Sequence, residues 1–175
     1  MEQDASSPHR YFEENEVLEN EVVFDCGGAE GNFVLEIIDK IDKAVIFECD
    51  QEWVEALKKT FEPFKEKVLI VDKFVGNGMK GTASLDSVAE QFHLYPSIIK
   101  MDIEGAEVDA LDGIAELMHT ASNLKLYVCT YHRADDEDAI ISKLSDGFEI
   151  QQSKGYMFYK NSFRKAVVRA KLKEN

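Results

Sequence analysis

The chain has 175 residues, 45% apolar and 31% charged, which is the make-up of one ordinary globular domain. Its 20 Lys and Arg stand against 34 Asp and Glu, a formal net charge of −14, so it lacks the basic footprint that a phosphate backbone demands. No stretch approaches the roughly 20 apolar residues of a membrane span, and the first 21 residues hold seven acids and one Arg without the apolar run of a signal peptide.

These counts argue against nucleic acid or a membrane as the main partner and point to a cytoplasmic protein. Whether it is a monomer or a homodimer they leave open. Residues 1–10 have the acidic composition of a flexible terminus, and residues 11–175 read as a single domain. Tyr11, Phe12, Val17 and Leu18 look like an anchoring helix or loop. Residues 22–26 (VVFDC) form a first strand-like run, and residues 32–41 carry a helical apolar face. Residues 43–49 read as the second strand. Asp50 is an N-cap for a helix that faces inward with Trp53, Val54, Leu57 and Phe61. Further strands are expected at 68–71, 97–103 and 124–131, with helices at 106–118 and 136–144. Residues 148–152 and 165–172 form a closing pair. Residues 160–175 hold six basic residues and one acid, the composition of a solvated edge strand that discourages pairing.

Continuous apolar strands alternating with amphipathic helices imply an α/β fold: a doubly wound, Rossmann-like sandwich whose mostly parallel sheet ends in an antiparallel edge strand. Ligands of such sheets bind at the carboxyl ends of the strands, near the point where strand order reverses. The three cysteines, Cys26, Cys49 and Cys129, fall in strand-like runs with no C-x-x-C spacing, so neither a zinc site nor a disulfide framework is supported. No metal-ligand set is read here. A divalent cation bridging Asp102 and Glu104 is the alternative left open.

The first strand ends in Asp25-Cys26-Gly27-Gly28-Ala29-Glu30-Gly31, where glycines permit a tight turn and close approach of a ligand to the backbone. Glu48 follows Asp25 by 23 residues and closes the second strand, a placement suited to accepting hydrogen bonds from ribose hydroxyls. A dinucleotide fingerprint starting at Gly27 would need glycines where the chain has Ala29 and Asn32, and Asp25 would repel a pyrophosphate. A cofactor with a cationic end and no phosphates, such as S-adenosylmethionine, suits Asp25 and Glu48 better. The fourth strand runs into Lys100-Met101-Asp102-Ile103-Glu104-Gly105-Ala106-Glu107, and its two acids at i and i+2 should face the cofactor loop. Glu107 reads more simply as an acid favoured at a helix N-terminus. Of four histidines, His9 sits in the tail and His93 and His119 on or near helices. Only His132, in Tyr131-His132-Arg133, lies at a strand end facing the expected site, where it could take a proton from a hydroxyl.

These blocks, with Phe47-Glu48-Cys49-Asp50, Ser84-Leu85-Asp86 and Asp135-Asp136, resemble the FkbM family of S-adenosylmethionine-dependent methyltransferases over about residues 11–155. The resemblance implies a Rossmann-like methyltransferase fold and methylation of a hydroxyl, often on a sugar or secondary metabolite. It implies that Asp25, Cys26, Gly27, Gly28, Gly31, Glu48 and Cys49 hold the cofactor, and that Asp102 lies by the transferred methyl. Cys49 stands where the family usually has Pro, and residues 72–83 form a shorter stretch than the family usually has there. The resulting expectation is O-methylation of a small-molecule or saccharide acceptor, with Asp102, Glu104 and His132 as catalytic residues. Two rivals remain: a degenerate cofactor- or partner-binding module, and a nicotinamide-dependent oxidoreductase.

Overall fold

The computed structural model describes residues 4, 6–79 and 81–173; residues 1–3 and 5 of the acidic opening, and 174 and 175 of the basic tail, lie outside them. In chain order the elements are β1 (Glu21–Cys26), α1 (Asn32–Ile37), β2 (Ile41–Glu48), α2 (Gln51–Thr60), β3 (Val68–Asp72), α3 (Leu85–Phe92), β4 (Ile98–Met101), α4 (Glu107–Asp112), α5 (Ala115–Thr120), β5 (Lys125–Cys129), α6 (Asp136–Leu144), β6 (Phe148–Gln152), β7 (Met157–Tyr159), β8 (Ser162–Arg164) and β9 (Val167–Leu172). Seven strands form one sheet in the order β3-β2-β1-β4-β5-β9-β6. Strands β1 to β5 pair in parallel, and β9 runs antiparallel to both β5 and β6.

Period-2 alternation divides the strand side chains between two cores. Phe24, Val45, Phe47, Ile99, Met101 and Leu126 face the helices α3 to α6. Val23, Ala44, Ile46, Ile98 and Tyr127 face α1, α2 and the segment around Tyr11. The strands are buried on both faces, which is why they read as unbroken apolar runs.

Several boundaries differ from the sequence reading. The first helix stops at Ile37, and Ile41 opens β2 instead of extending the helical face. The helix expected over 106–118 is two helices. They break at Gly113, where a Cβ would sit 2.3 Å from the Gly76 carbonyl oxygen, so the chain turns against that loop. Anchoring falls to Tyr11 and Leu18, in an irregular segment, while Val17 is exposed. The basic tail is not an edge strand. Strand β9 lies between β5 and β6, and buries Val167, Val168 and Ala170 because its own alternation offers an apolar set to each face of the sheet. Its cation Arg169 donates to the carbonyls of Arg10 and Tyr11.

The Ser84-Leu85-Asp86 motif opens α3, a helix that the apolar pattern did not signal. Ser84 accepts from the Ser87 N–H as its cap. Asp86 reaches across to α5 and accepts from the N–H groups of Glu116 and Leu117, each at 3.0 Å, so one carboxylate caps a neighbouring helix. Asp86→Ala leaves both donors without that partner and should cost about 1–2 kcal/mol. For a domain of this size that is a melting-temperature drop of roughly 2–8 °C. An unchanged melting curve would show that water replaces the cap without penalty.

Candidate active site

Strands β1 and β4 are neighbours, and their register sets Asp25 directly opposite Lys100. Both side chains are buried, and Lys100 Nζ lies 2.9 Å from Asp25 Oδ1. The ammonium also donates to the Gly27 carbonyl oxygen at 2.6 Å. Burial would lower the Lys100 pKa, but Asp25 and Asp102 outweigh it and hold the group above its ordinary value, as a cation. Asp25, expected beside the cofactor, thus lies behind the site, because alternation turns it to the same face as Lys100. The turn above it needs glycine: Gly27 has φ +81°, and a Cβ there would sit 1.9 Å from the Asp102 carbonyl oxygen.

A cavity of about 410 Å³ opens at these strand ends, lined among others by Gly27, Glu48, Cys49, Trp53, Phe74 and Asp102. Glu48 is fixed at its wall: one carboxylate oxygen accepts from the Ala29 N–H at 2.9 Å, the other from those of Cys49 and Asp50 at 2.7 and 2.9 Å. Cys26, Gly28 and Gly31 pack behind it. Cys26 belongs to the core, a Cβ on Gly28 would meet Ile46, and one on Gly31 would meet Phe61 and Leu57. Those two glycines serve the packing of α2 against the loop. A second cavity, of about 620 Å³, lies between residues 13–16 and the β5-β9-β6 face and carries none of the candidate residues.

Asp102 is the hub of the site. Tyr131 donates its hydroxyl to Oδ1 at 3.0 Å, and Tyr11 donates to Oδ2 at 3.3 Å. His132 Nε2 lies 3.3 Å from Oδ1, and His9 Nε2 lies 3.5 Å from Oδ2. Burial would raise the Asp102 pKa, yet His9, Lys100 and His132 hold it well below the usual carboxylate range. The same half-buried anion pushes the Tyr131 phenol upward, after burial itself. Glu104, in a left-handed conformation with φ +57°, extends an exposed carboxylate whose Oε2 lies 3.7 Å from His132 Nε2.

On the other side of the ring, His132 Nδ1 lies 2.9 Å from Glu107 Oε1, and that oxygen also accepts from the Ile103 N–H. Burial would lower the His132 pKa, but Glu107, Asp102 and Glu104 more than compensate and raise it. The fold thus brings together Asp102, Glu104 and His132, which the sequence reading selected, and sets beside them Glu107, Lys100, Tyr11 and His9, which it did not. Glu107 is fully buried rather than solvated at the helix start; an acid preceding the inward-facing Ala110 and Leu111 was the available signal. His9 had none, because its position depends on residues 8–12 lying across the sheet ends. Among the described residues, His9, Asp102 and Cys129, and likewise Asp102, Glu107 and His132, bring ligand atoms within 4.8 Å of one another, spacings that a metal ion could bridge.

A parallel sheet whose final strand slips antiparallel between the fifth and sixth, with a glycine turn after β1 and an acid closing β2, is the Rossmann-like methyltransferase fold. Solved structures share it. Methyltransferase FkbM from Methylobacillus flagellatus superposes with a TM-score of 0.71 at 19% identity, over 89% of this chain and 44% of that one. An rRNA methylase from Streptococcus thermophilus gives 0.60 at 12% identity, covering 91% of this chain and 90% of the other. A Streptococcus pneumoniae protein in complex with S-adenosyl-L-methionine gives 0.57 at 17%, covering 90% and 68%. The chain thus spans less than half the length of the FkbM structure. No family model and no curated protein matches the sequence.

Proposed function

We propose that this chain is an S-adenosylmethionine-dependent methyltransferase acting on a hydroxyl of a sugar or small metabolite. The observation that carries this reading is the placement of Glu48 and Asp102 on one cavity wall with His132 held behind Asp102. The residues fit the cofactor. Glu48 is positioned for ribose hydroxyls, Gly27 leaves room for close approach, Trp53 and Phe74 offer aromatic faces to the adenine, and Asp102 faces the cationic end. When bound, the cofactor supplies an electrophilic methyl on a sulfonium. A Streptococcus pneumoniae protein of the same fold binds S-adenosyl-L-methionine, which supports the assignment.

The chain's own groups would do the rest. Glu107 Oε1, 2.9 Å from Nδ1, would favour a proton there, which leaves Nε2 facing Asp102 and Glu104. Glu104, exposed and 3.7 Å from Nε2, would pass a proton from the acceptor hydroxyl to the ring. Alignment and exclusion of water supply much of the remaining rate. Some proteins of this fold are named as acting on rRNA, but the net charge of −14 here favours a small acceptor over a strand.

Thermal-shift titration with S-adenosylmethionine, S-adenosylhomocysteine and NAD tests the cofactor. Ligand at 100 times its dissociation constant stabilises by about 2.7 kcal/mol, a rise of roughly 5–10 °C at this size. The rise is expected with both adenosyl ligands and should vanish in Glu48→Ala. A rise with NAD alone would overturn the reading, and binding without turnover on any hydroxyl acceptor would leave a cofactor-binding module.

A further inference from the structure

Charge is segregated along this chain. Residues 153–173 hold seven Lys and Arg and no acid, while the remainder holds 13 Lys and Arg against all 34 acids. Within that stretch β7 and β8 form a hairpin of their own, apart from the main sheet. Its inner face touches the site. The Tyr159 ring centroid lies 5.1 Å from Tyr131 and 5.9 Å from His132, and Arg164 donates to the Tyr131 carbonyl oxygen. Its outer face carries Phe158 and Phe163, paired across the strands with centroids 5.2 Å apart and 63% and 74% exposed. The tip is Lys160-Asn161, both left-handed. Asn is at home in that conformation and Lys is not. The tip thus accepts some strain while carrying a cation, whose Nζ lies 4.9 Å from the Tyr159 ring centre.

Going round the hairpin from His132, the order is an aromatic wall, a cation and an exposed aromatic pair. We propose that this hairpin docks the acceptor and that the acceptor is a sugar carried on a nucleoside diphosphate. The sugar hydroxyl meets the exposed Glu104 carboxylate, which stands 3.7 Å from His132 Nε2, the diphosphate meets Lys160, and the base stacks on Phe158 and Phe163. Bases of any identity offer a π-face to such rings, and the cation meets the phosphates. An RNA strand would carry the same groups, but its further phosphates would run over the acidic remainder of the chain, whereas two phosphates end at the hairpin. The proposal rests on the methyltransferase reading for the reacting group only.

The test is isothermal titration of the full chain, saturated with S-adenosylhomocysteine, with ADP, CDP, GDP and UDP. Inorganic pyrophosphate, a short single-stranded oligouridylate and phosphatidylglycerol vesicles serve as comparisons. At least one nucleoside diphosphate should bind, and bind more tightly than pyrophosphate. Lys160→Glu, and separately Phe158→Ser with Phe163→Ser, should weaken that binding by about tenfold or more. These side chains are exposed, so the variants should keep the melting temperature and the affinity for S-adenosylhomocysteine.

Four outcomes would overturn the proposal: no nucleoside diphosphate binds, pyrophosphate binds equally well, the hairpin variants bind unchanged, or the oligouridylate or vesicles bind in preference through the same side chains. The affinity for S-adenosylhomocysteine is measured first. Its absence counts against the methyltransferase reading alone, and the diphosphate titration is then run without it.

Discussion

His132→Asn should lower methyl transfer by about 10²–10⁴-fold, the usual contribution of a positioned proton acceptor, while affinity for S-adenosylhomocysteine stays nearly the same. His132 lies behind Asp102 and is not among the residues lining the cavity, so its loss removes proton acceptance and not a cofactor contact. The pH profile adds a second reading. Glu107, Asp102 and Glu104 raise the His132 pKa against the effect of burial, so the rate should climb through a midpoint alkaline of the ordinary value of about 6.5. Glu107→Gln keeps the shape of the side chain and removes the charge nearest to Nδ1, so the midpoint should move toward acid and the rate should fall. A midpoint that ignores Glu107→Gln would sink the assignment of His132 as base.

Stability should move the opposite way. A histidine with a raised folded pKa contributes stability that is fully present below the unfolded value and is lost as pH rises through the folded one. The pH range in which His132 is competent to accept a proton is therefore the range in which it stabilises the fold least. Melting temperatures of wild type and His132→Asn should converge as pH is raised from 6 toward 9.

The sequence carried the sheet well and the site unevenly, for physical reasons. Strands buried on both faces leave unbroken apolar runs, so β1 to β5 and their parallel pairing were legible. The closing antiparallel pair was legible too, because residues 153–164 are too few for a crossover helix. The identity of the edge strand was not, since Arg169 and Lys171 look solvated until Arg169 is seen holding the Arg10 and Tyr11 carbonyls. Local pattern also could not show that α4 and α5 part at Gly113, because the obstacle is the Gly76 carbonyl, 37 residues earlier in the chain. In the site, Asp102, Glu104 and His132 were readable because each sits where a strand ends. Asp25 was read as a cofactor ligand because an acid beside the glycine loop, spaced suitably from Glu48, suits a cationic cofactor. What spacing omits is which face the side chain takes, and alternation sends it to Lys100 instead.

That buried pair gives the largest expected loss of stability. Lys100→Ala leaves Asp25 enclosed without its cation and Gly27 without the donor to its carbonyl, and should cost about 3–5 kcal/mol. In a domain of this size the melting temperature should fall by roughly 6–20 °C. Adding Asp25→Asn should recover part of the loss, because a neutral amide needs no counter-charge, and a double-mutant cycle isolates the coupling. The pH dependence identifies the cause. Burial already pushes the Asp25 pKa upward in the intact pair, and without Lys100 it should rise further. A carboxylate with a raised folded pKa destabilises increasingly as pH climbs above its unfolded value, so the deficit of Lys100→Ala should be smaller at pH 5 than at pH 8. A deficit equal at both pH values would mean that the lysine acts by filling space with its stem. It would then be the packing of Tyr11 and Phe33 around the ammonium, whose Nζ lies about 6 Å from each ring centre, that holds the glycine turn in place.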